Sequence, residues 1–108
     1  MKRGDVWWVE FEPAVGSEIK KTRPAVILSN DVANRHLARV VVVPITSNIT
    51  QIYPSEALIH IAKNQAKVMA DQIMAADKSR LREKLGQVSP SDMKLIEQAI
   101  CIHLGLPR

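Results

Sequence analysis

The chain has one cysteine in 108 residues, which excludes an internal disulfide framework and leaves a structural zinc site without its usual thiolate pair. Its histidines, His36, His60 and His103, are widely separated, so no metal-ligand spacing is legible and neither a metal nor another cofactor is expected. No apolar run approaches the ~20 residues that span a bilayer. The start, Met1-Lys2-Arg3-Gly4-Asp5, lacks the apolar centre of an export signal. Together these absences point to a cytoplasmic protein with no membrane attachment. Cys101 lies in an apolar helical run and is expected to be a small core residue in a reducing compartment. There is also no repeat, low-complexity tract or linker, so residues 1–108 are read as a single domain.

What is present suits a folded globule: 46% of residues are apolar and 24% charged, a balance that disordered chains do not have. A chain of this length can build one core, and at this size pairing into a homodimer adds useful burial. The formal charge of +4 favours a polyanionic or acidic partner.

Charge and rigidity meet in Gly16-Ser17-Glu18-Ile19-Lys20-Lys21-Thr22-Arg23-Pro24, which leads into the apolar Ala25-Val26-Ile27-Leu28. Pro24 holds Arg23 extended at the start of a strand. The guanidinium therefore emerges from a rigid element, with Lys20 and Lys21 on the adjoining loop, a grouping that suits a phosphate. The plain alternative is that Lys20, Lys21 and Arg23 are solvated loop charges. A second apolar strand, Val40-Val41-Val42-Val43-Pro44-Ile45, ends in Thr46-Ser47-Asn48 and likewise delivers polar groups at one end. Its valine run predicts burial on both faces.

Along the rest of the chain, Asp5 to Glu12 alternates as a strand, with Trp7, Val9 and Phe11 on the face expected to be core. Trp8 points the other way, to cover a second apolar surface or to stack on a base. Glu12 to Thr22 is a long connection and a candidate binding loop. Asn30 or Asp31 caps a short helix running to about Leu37. Thr46 to Pro54 is expected to be an exposed loop, and Glu56–Ile61 pairs with Lys67–Met74 across a turn at Lys63-Asn64-Gln65. Asp77 to Leu85 is read as a short helical turn followed by a loop. Ser89-Pro90-Ser91-Asp92 opens a C-terminal helix with the pattern of a capping box, and Met93, Ile96, Ala99, Ile100 and His103 form its apolar stripe. The order β, β, short α, β, β, β, α has no βαβ repeat, so an α+β, mainly β fold with a curved antiparallel sheet is expected.

Arg3-Gly4-Asp5-Val6-Trp7-Trp8-Val9, Gly16-Ser17-Glu18 through Thr22-Arg23-Pro24-Ala25-Val26, Val43-Pro44-Ile45-Thr46 and Ala70-Asp71-Gln72 together resemble the MazF/PemK family of toxin endoribonucleases from bacterial toxin–antitoxin pairs. The match runs nearly end to end. It implies a small SH3-like, partly open antiparallel barrel of CcdB/PemK type with a C-terminal helix, paired as a homodimer. It also implies sequence-specific, metal-independent cleavage of single-stranded mRNA, leaving a 2′,3′-cyclic phosphate and a 5′-hydroxyl, and restraint by a MazE-like antitoxin. The residues matching Arg23 and Thr46 are regarded as catalytic in the family.

RNA-contacting roles are expected for Glu18, Lys20, Lys21, Ser47, Asn48, Asp71 and Gln72, the last two with support of their loop as the plain alternative. Glu18 is placed to take the 2′-OH proton or to bond a base edge; its plain alternative is a surface carboxylate balancing the two lysines. Some relatives carry histidine before the arginine-proline pair or arginine two residues before the aspartate, where this chain has Thr22 and Met69, so the proton route stays open. Two other functions compete. A CcdB-like gyrase poison shares the barrel but depends on an aromatic C-terminal tail, whereas these residues end Leu104-Gly105-Leu106-Pro107-Arg108. A catalytically silent SH3-like binding module would keep the fold without the chemistry.

Overall fold

The computed structural model describes residues 1–11 and 22–107. Its elements in chain order are β1 (Asp5–Glu10), β2 (Thr22–Ile27), α1 (Asp31–His36), β3 (Arg39–Thr46), β4 (Glu56–Ile61), β5 (Asn64–Met69), a 3₁₀ turn (Ala70–Gln72), β6 (Met74–Asp77), a second 3₁₀ turn (Lys78–Arg80), β7 (Leu81–Gln87) and α2 (Pro90–Leu104). The strands form one antiparallel sheet in the order β4-β5-β3-β2-β1-β7, with β6 also on β3. The sheet curls into the expected SH3-like, partly open barrel, and α2 packs against it.

Side-chain alternation along the three central strands produces two cores. Val6, Val26, Val43 and Ile45 face the β4–β5 hairpin and the Met93, Ile96 and Ala99 stripe of α2. Their neighbours Val9, Ala25, Ile27, Val40 and Val42 face Phe11, Ala76 and Leu81 on the other side. Both faces of the valine run are thus buried, as its composition predicts. Fully enclosed side chains such as Ile27, Ile59 and Ile96 each contribute about 1.5–3 kcal/mol. The Trp7, Val9 and Phe11 face of β1 packs in the second core as expected, and Val6, on the opposite face, is wholly buried as well.

β3 shares one edge between two partners. Three steps along it, from Ile45 to Val42, correspond to six along the partner chain, from Val68 to Met74. The extra three residues are the 3₁₀ turn Ala70–Gln72, which breaks the expected Lys67–Met74 strand into β5 and β6. The hairpin turn before β5 lies at Ala62-Lys63, one residue earlier than expected, with Ala62 at φ 55°. A second correction concerns the basic segment after Asp77. Only Lys78–Arg80 is helical; Leu81–Gln87 is a strand on β1, because an amphipathic pattern without strong alternation hides an edge strand.

The helix signals hold. Asn30 Oδ1 accepts from Ala33 N–H at 2.8 Å to cap α1, and Ser89 Oγ accepts from Asp92 N–H at 3.0 Å to cap α2. Asp92 does not close the capping box; its Oδ2 accepts instead from the backbone N–H of His60 in β4 at 2.9 Å, stapling helix to sheet. Gly105 (φ 69°) ends α2 in the left-handed region, where Leu106 N–H reaches Cys101 O at 2.8 Å. His103 at the end of the stripe is exposed. Cys101 is half-buried and lines a groove of about 270 Å³ with Leu28, Val41, Ile73 and Ile100, a correction to its expected core position. Among the described residues no helix is long and apolar enough to cross a membrane.

Candidate active site

Arg23 is the second residue of β2 and Thr46 the last of β3. These antiparallel strands pair through Ala25↔Pro44, Val26↔Val43 and Ile27↔Val42. Continued by two residues, that register sets Arg23 opposite Thr46. The ladder stops at Pro44 because the next residue of β2 is Pro24, which has no N–H to give. The strand ends part there, and a cleft of about 350 Å³ opens, lined by Trp8, Thr22, Arg23, Pro24, Ile45, Thr46 and Ser47.

The cations of this chain differ in how far they are committed. Arg3 is paired with Glu97 at 2.8 Å, Lys67 with Glu56 at 3.0 Å and Lys84 with Asp5 at 3.4 Å, while Arg82 pairs with Glu10. Arg80 donates to the Glu10 carbonyl at 3.0 Å. The Arg23 side chain is exposed and engages no ion pair or hydrogen bond among the described residues. Its backbone is nevertheless fixed between β1, where it faces Val9, and Pro24. A guanidinium on a backbone so held presents its fork to an oxyanion from a fixed place.

Thr46 is half-buried, and its Oγ1 accepts from Asn48 N–H at 3.2 Å. That contact occupies a lone pair and leaves the hydroxyl proton free to donate into the cleft. Ser47 adds a second, exposed hydroxyl. Asn48 is exposed beside the cleft; its carbonyl end is taken by Thr50 N–H at 3.3 Å and Thr50 Oγ1 at 2.9 Å, so its NH₂ end is the part that can meet a ligand.

The remaining expected contacts divide. Glu18, Lys20 and Lys21, with Gly16, lie outside the described residues. Asp71 and Gln72 occupy the 3₁₀ turn that projects between β5 and β6, Asp71 exposed and Gln72 half-buried, and neither is among the residues lining the cleft. Sequence reasoning left Trp8 between packing and stacking. The structure puts it, half-buried, on the cleft wall opposite Pro24. On the β7 side the register shifts between Val6 and Trp7 and between Trp8 and Val9, the extra residues Leu85 and Arg82 belonging to β7, so the tryptophan pair lies against a bulged edge strand. No sequence signal marks those bulges. Among the described residues no group of His, Cys, Asp and Glu is arranged to hold a metal ion.

Trp8, Arg23 and Thr46 thus come from the very blocks on which the family resemblance rests. The sequence profile of PemK-like, MazF-like toxins of type II toxin–antitoxin systems matches residues 2–104. The chain belongs to that family. Endoribonuclease MazF9 of Mycobacterium tuberculosis is 37% identical over 115 residues, covering 98% of each chain. Endoribonuclease MazF of Staphylococcus saprophyticus is 38% identical over 111 residues, covering 98% of this chain and 92% of the relative. Among solved structures, a mycobacterial endoribonuclease in complex with its cognate antitoxin superposes with a TM-score of 0.84 at 30% identity, covering 100% of this chain and 98% of the other. MazF of Deinococcus radiodurans superposes with a TM-score of 0.85 at 27% identity, covering 98% and 97%. The PemK-like barrel expected from the motifs is therefore the fold observed.

Proposed function

We propose that this chain is the toxin of a type II toxin–antitoxin pair, a sequence-specific endoribonuclease that cuts single-stranded mRNA with Arg23 and Thr46 as its catalytic residues. The observation that carries the reading is the shared cleft of those two side chains at the parted ends of β2 and β3.

RNA brings its own nucleophile. The ribose 2′-oxygen attacks the adjacent phosphorus, the 2′-O–P bond forms, the P–O5′ bond breaks, and the proton lost from the 2′-OH is balanced by one delivered to the 5′-oxygen. The products are a 2′,3′-cyclic phosphate and a 5′-hydroxyl. The crowded phosphorane between them carries extra negative charge, which Arg23 neutralises while the Thr46 hydroxyl donates to a non-bridging oxygen. A guanidinium is a poor base, so Arg23 acts as stabiliser and proton donor. Glu18 is the candidate acceptor of the 2′-OH proton, with Lys20 and Lys21 steering the phosphates. Ser47 and Asn48 extend the RNA path from the cleft, and Asp71 and Gln72 read bases beyond it.

An acidic antitoxin tail suits the cleft by the same charges that suit RNA. The working unit is a homodimer of single-domain chains, 1–108, acting in the cytoplasm where mRNA is translated. The name of the Mycobacterium tuberculosis relative and the antitoxin-bound mycobacterial structure support this reading. The test is incubation of the purified chain and an Arg23→Ala variant with single-stranded RNA in excess chelator, with the cut ends mapped. Chelator-resistant cuts ending in 2′,3′-cyclic phosphate and absent from the variant are expected; cuts that persist in Arg23→Ala would remove the assignment.

A further inference from the structure

The connection from Thr46 to β4 carries an exposed aromatic ring that the proposed chemistry does not use. Tyr53 is 56% exposed, which for a ring in a polar loop exposes apolar area without a packing return. Yet the loop does not leave it loose. The Tyr53 phenol donates to Gln51 Oε1 at 2.5 Å, its backbone N–H donates to Glu56 Oε1 at 2.8 Å, and its carbonyl accepts from Glu56 N–H at 2.9 Å. The Lys67 ammonium lies over the ring, 5.7 Å from its centroid. That ammonium is itself anchored to Gln51 O at 2.8 Å and Glu56 Oε1 at 3.0 Å. The ring is thus held at its edge by a hydrogen bond and on one side by a buried cation, and what remains open is aromatic surface.

Its place in the fold gives that surface a use. Lys67 is the register partner of Thr46 across β3 and β5. The cation beneath Tyr53 therefore starts from the backbone position next to the proposed catalytic hydroxyl. We infer that Tyr53 is a stacking platform for an unpaired nucleobase of the RNA, a neighbour of the nucleotides flanking the cut, with Lys67 as the positioning residue that fixes the ring. This inference rests on the endoribonuclease reading and adds a base-binding site to it. A ring already ordered in the free protein loses little freedom when a base stacks on it, and a cation on its protein side draws electron density away from the face offered to the base. Stacking of this kind requires single-stranded RNA, since paired bases are occupied by their own neighbours.

The experiment uses the full chain and a mixed-sequence single-stranded RNA substituted with 5-bromouridine. Tyr53→Ala is expected to raise KM for cleavage about tenfold to a hundredfold, the range for loss of one stacking aromatic. Its kcat should change far less, and Tyr53→Phe should stay near the parent chain. Irradiation of the Arg23→Ala variant with this RNA should attach it to the peptide that contains Tyr53. An unchanged KM in Tyr53→Ala, a Tyr53→Phe as impaired as Tyr53→Ala, or crosslinks confined to other peptides would each overturn the stacking site while Arg23-dependent cleavage stands. Loss of self-association in Tyr53→Ala with KM unaltered would assign the ring to a protein contact and overturn it equally. Failure of the parent chain to cut RNA at all would remove the nuclease reading, and the stacking site with it.

Discussion

Lys67 of β5 and Glu56 of β4 meet at 3.0 Å with both side chains only 10% exposed. A buried pair of this kind is costly to break, because the surviving charge has no solvent to turn to. Lys67→Met is expected to lower unfolding free energy by about 3–5 kcal/mol, read from urea denaturation. The double variant Lys67→Met with Glu56→Leu should recover most of the loss, since an apolar pair of similar volume often replaces a buried ion pair without penalty. A double variant no more stable than the single one would show that the contacts to Gln51 and Tyr53 matter more than the charge.

Thr46 offers a cleaner separation of chemistry from folding. Thr46→Val keeps the shape and removes the hydroxyl, and is expected to lower kcat by about 10²–10³, the cost of losing one donor to a developing oxyanion. Thr46→Ser should retain most of the activity. Neither change should move the unfolding midpoint appreciably, because among the described residues the only hydrogen bond at stake is the long one from Asn48 N–H, 3.2 Å at an exposed position. Single-turnover cleavage measured beside thermal denaturation checks both statements.

Asp5 is 2% exposed and links the start of β1 to the end of β7. Burial pushes its carboxyl pKa up, but the hydrogen bonds from Lys2 N–H, the Gln87 amide and the Trp7 indole, with the nearby Lys84 ammonium, outweigh it and hold the value below the ordinary 3.8. The unfolded chain therefore takes up this proton more readily than the folded one. The stabilisation is complete above about pH 4 and disappears as pH falls through the depressed folded value. Asp5→Asn should be less stable at neutral pH and show a smaller further loss on acidification, measured as urea midpoints across an acid series. Parallel acid limbs for the two chains would contradict this.

The α2 N-terminus carries two separable contacts. Ser89→Ala removes the cap and is expected to cost about 0.5–2 kcal/mol. Asp92→Ala strands the His60 N–H beneath the helix and is expected to cost about 1–3 kcal/mol. Hydrogen exchange distinguishes them: the first should loosen the first turn of α2, the second the His60 amide of β4 as well. Equal effects on both sites from either variant would refute the division.

Much of the fold was legible because local chemistry and tertiary packing agree. The four valines from Val40 to Val43 read as a buried strand, the Asn30 and Ser89 caps read as helix starts, and Glu56–Ile61 has the bounds its alternation predicts. Reading failed where the deciding partner is distant. Leu81–Gln87 has the polarity of a loop and is a strand because β1 offers it an edge. Asp92 has the spacing of a capping box and accepts instead from the backbone N–H of His60, a residue of β4.

The candidate site divides along the same line. Residue order alone established that Arg23 is held extended by Pro24, that a strand ends at Thr46, and that these blocks belong to one toxin family, since each depends on neighbours in the chain. Only the three-dimensional fold decided that both side chains share a cleft with Trp8, and that the Lys67 ammonium lies over the Tyr53 ring. Those are relations between strands, set by register and by where a proline ends a ladder, and no local sequence pattern encodes them.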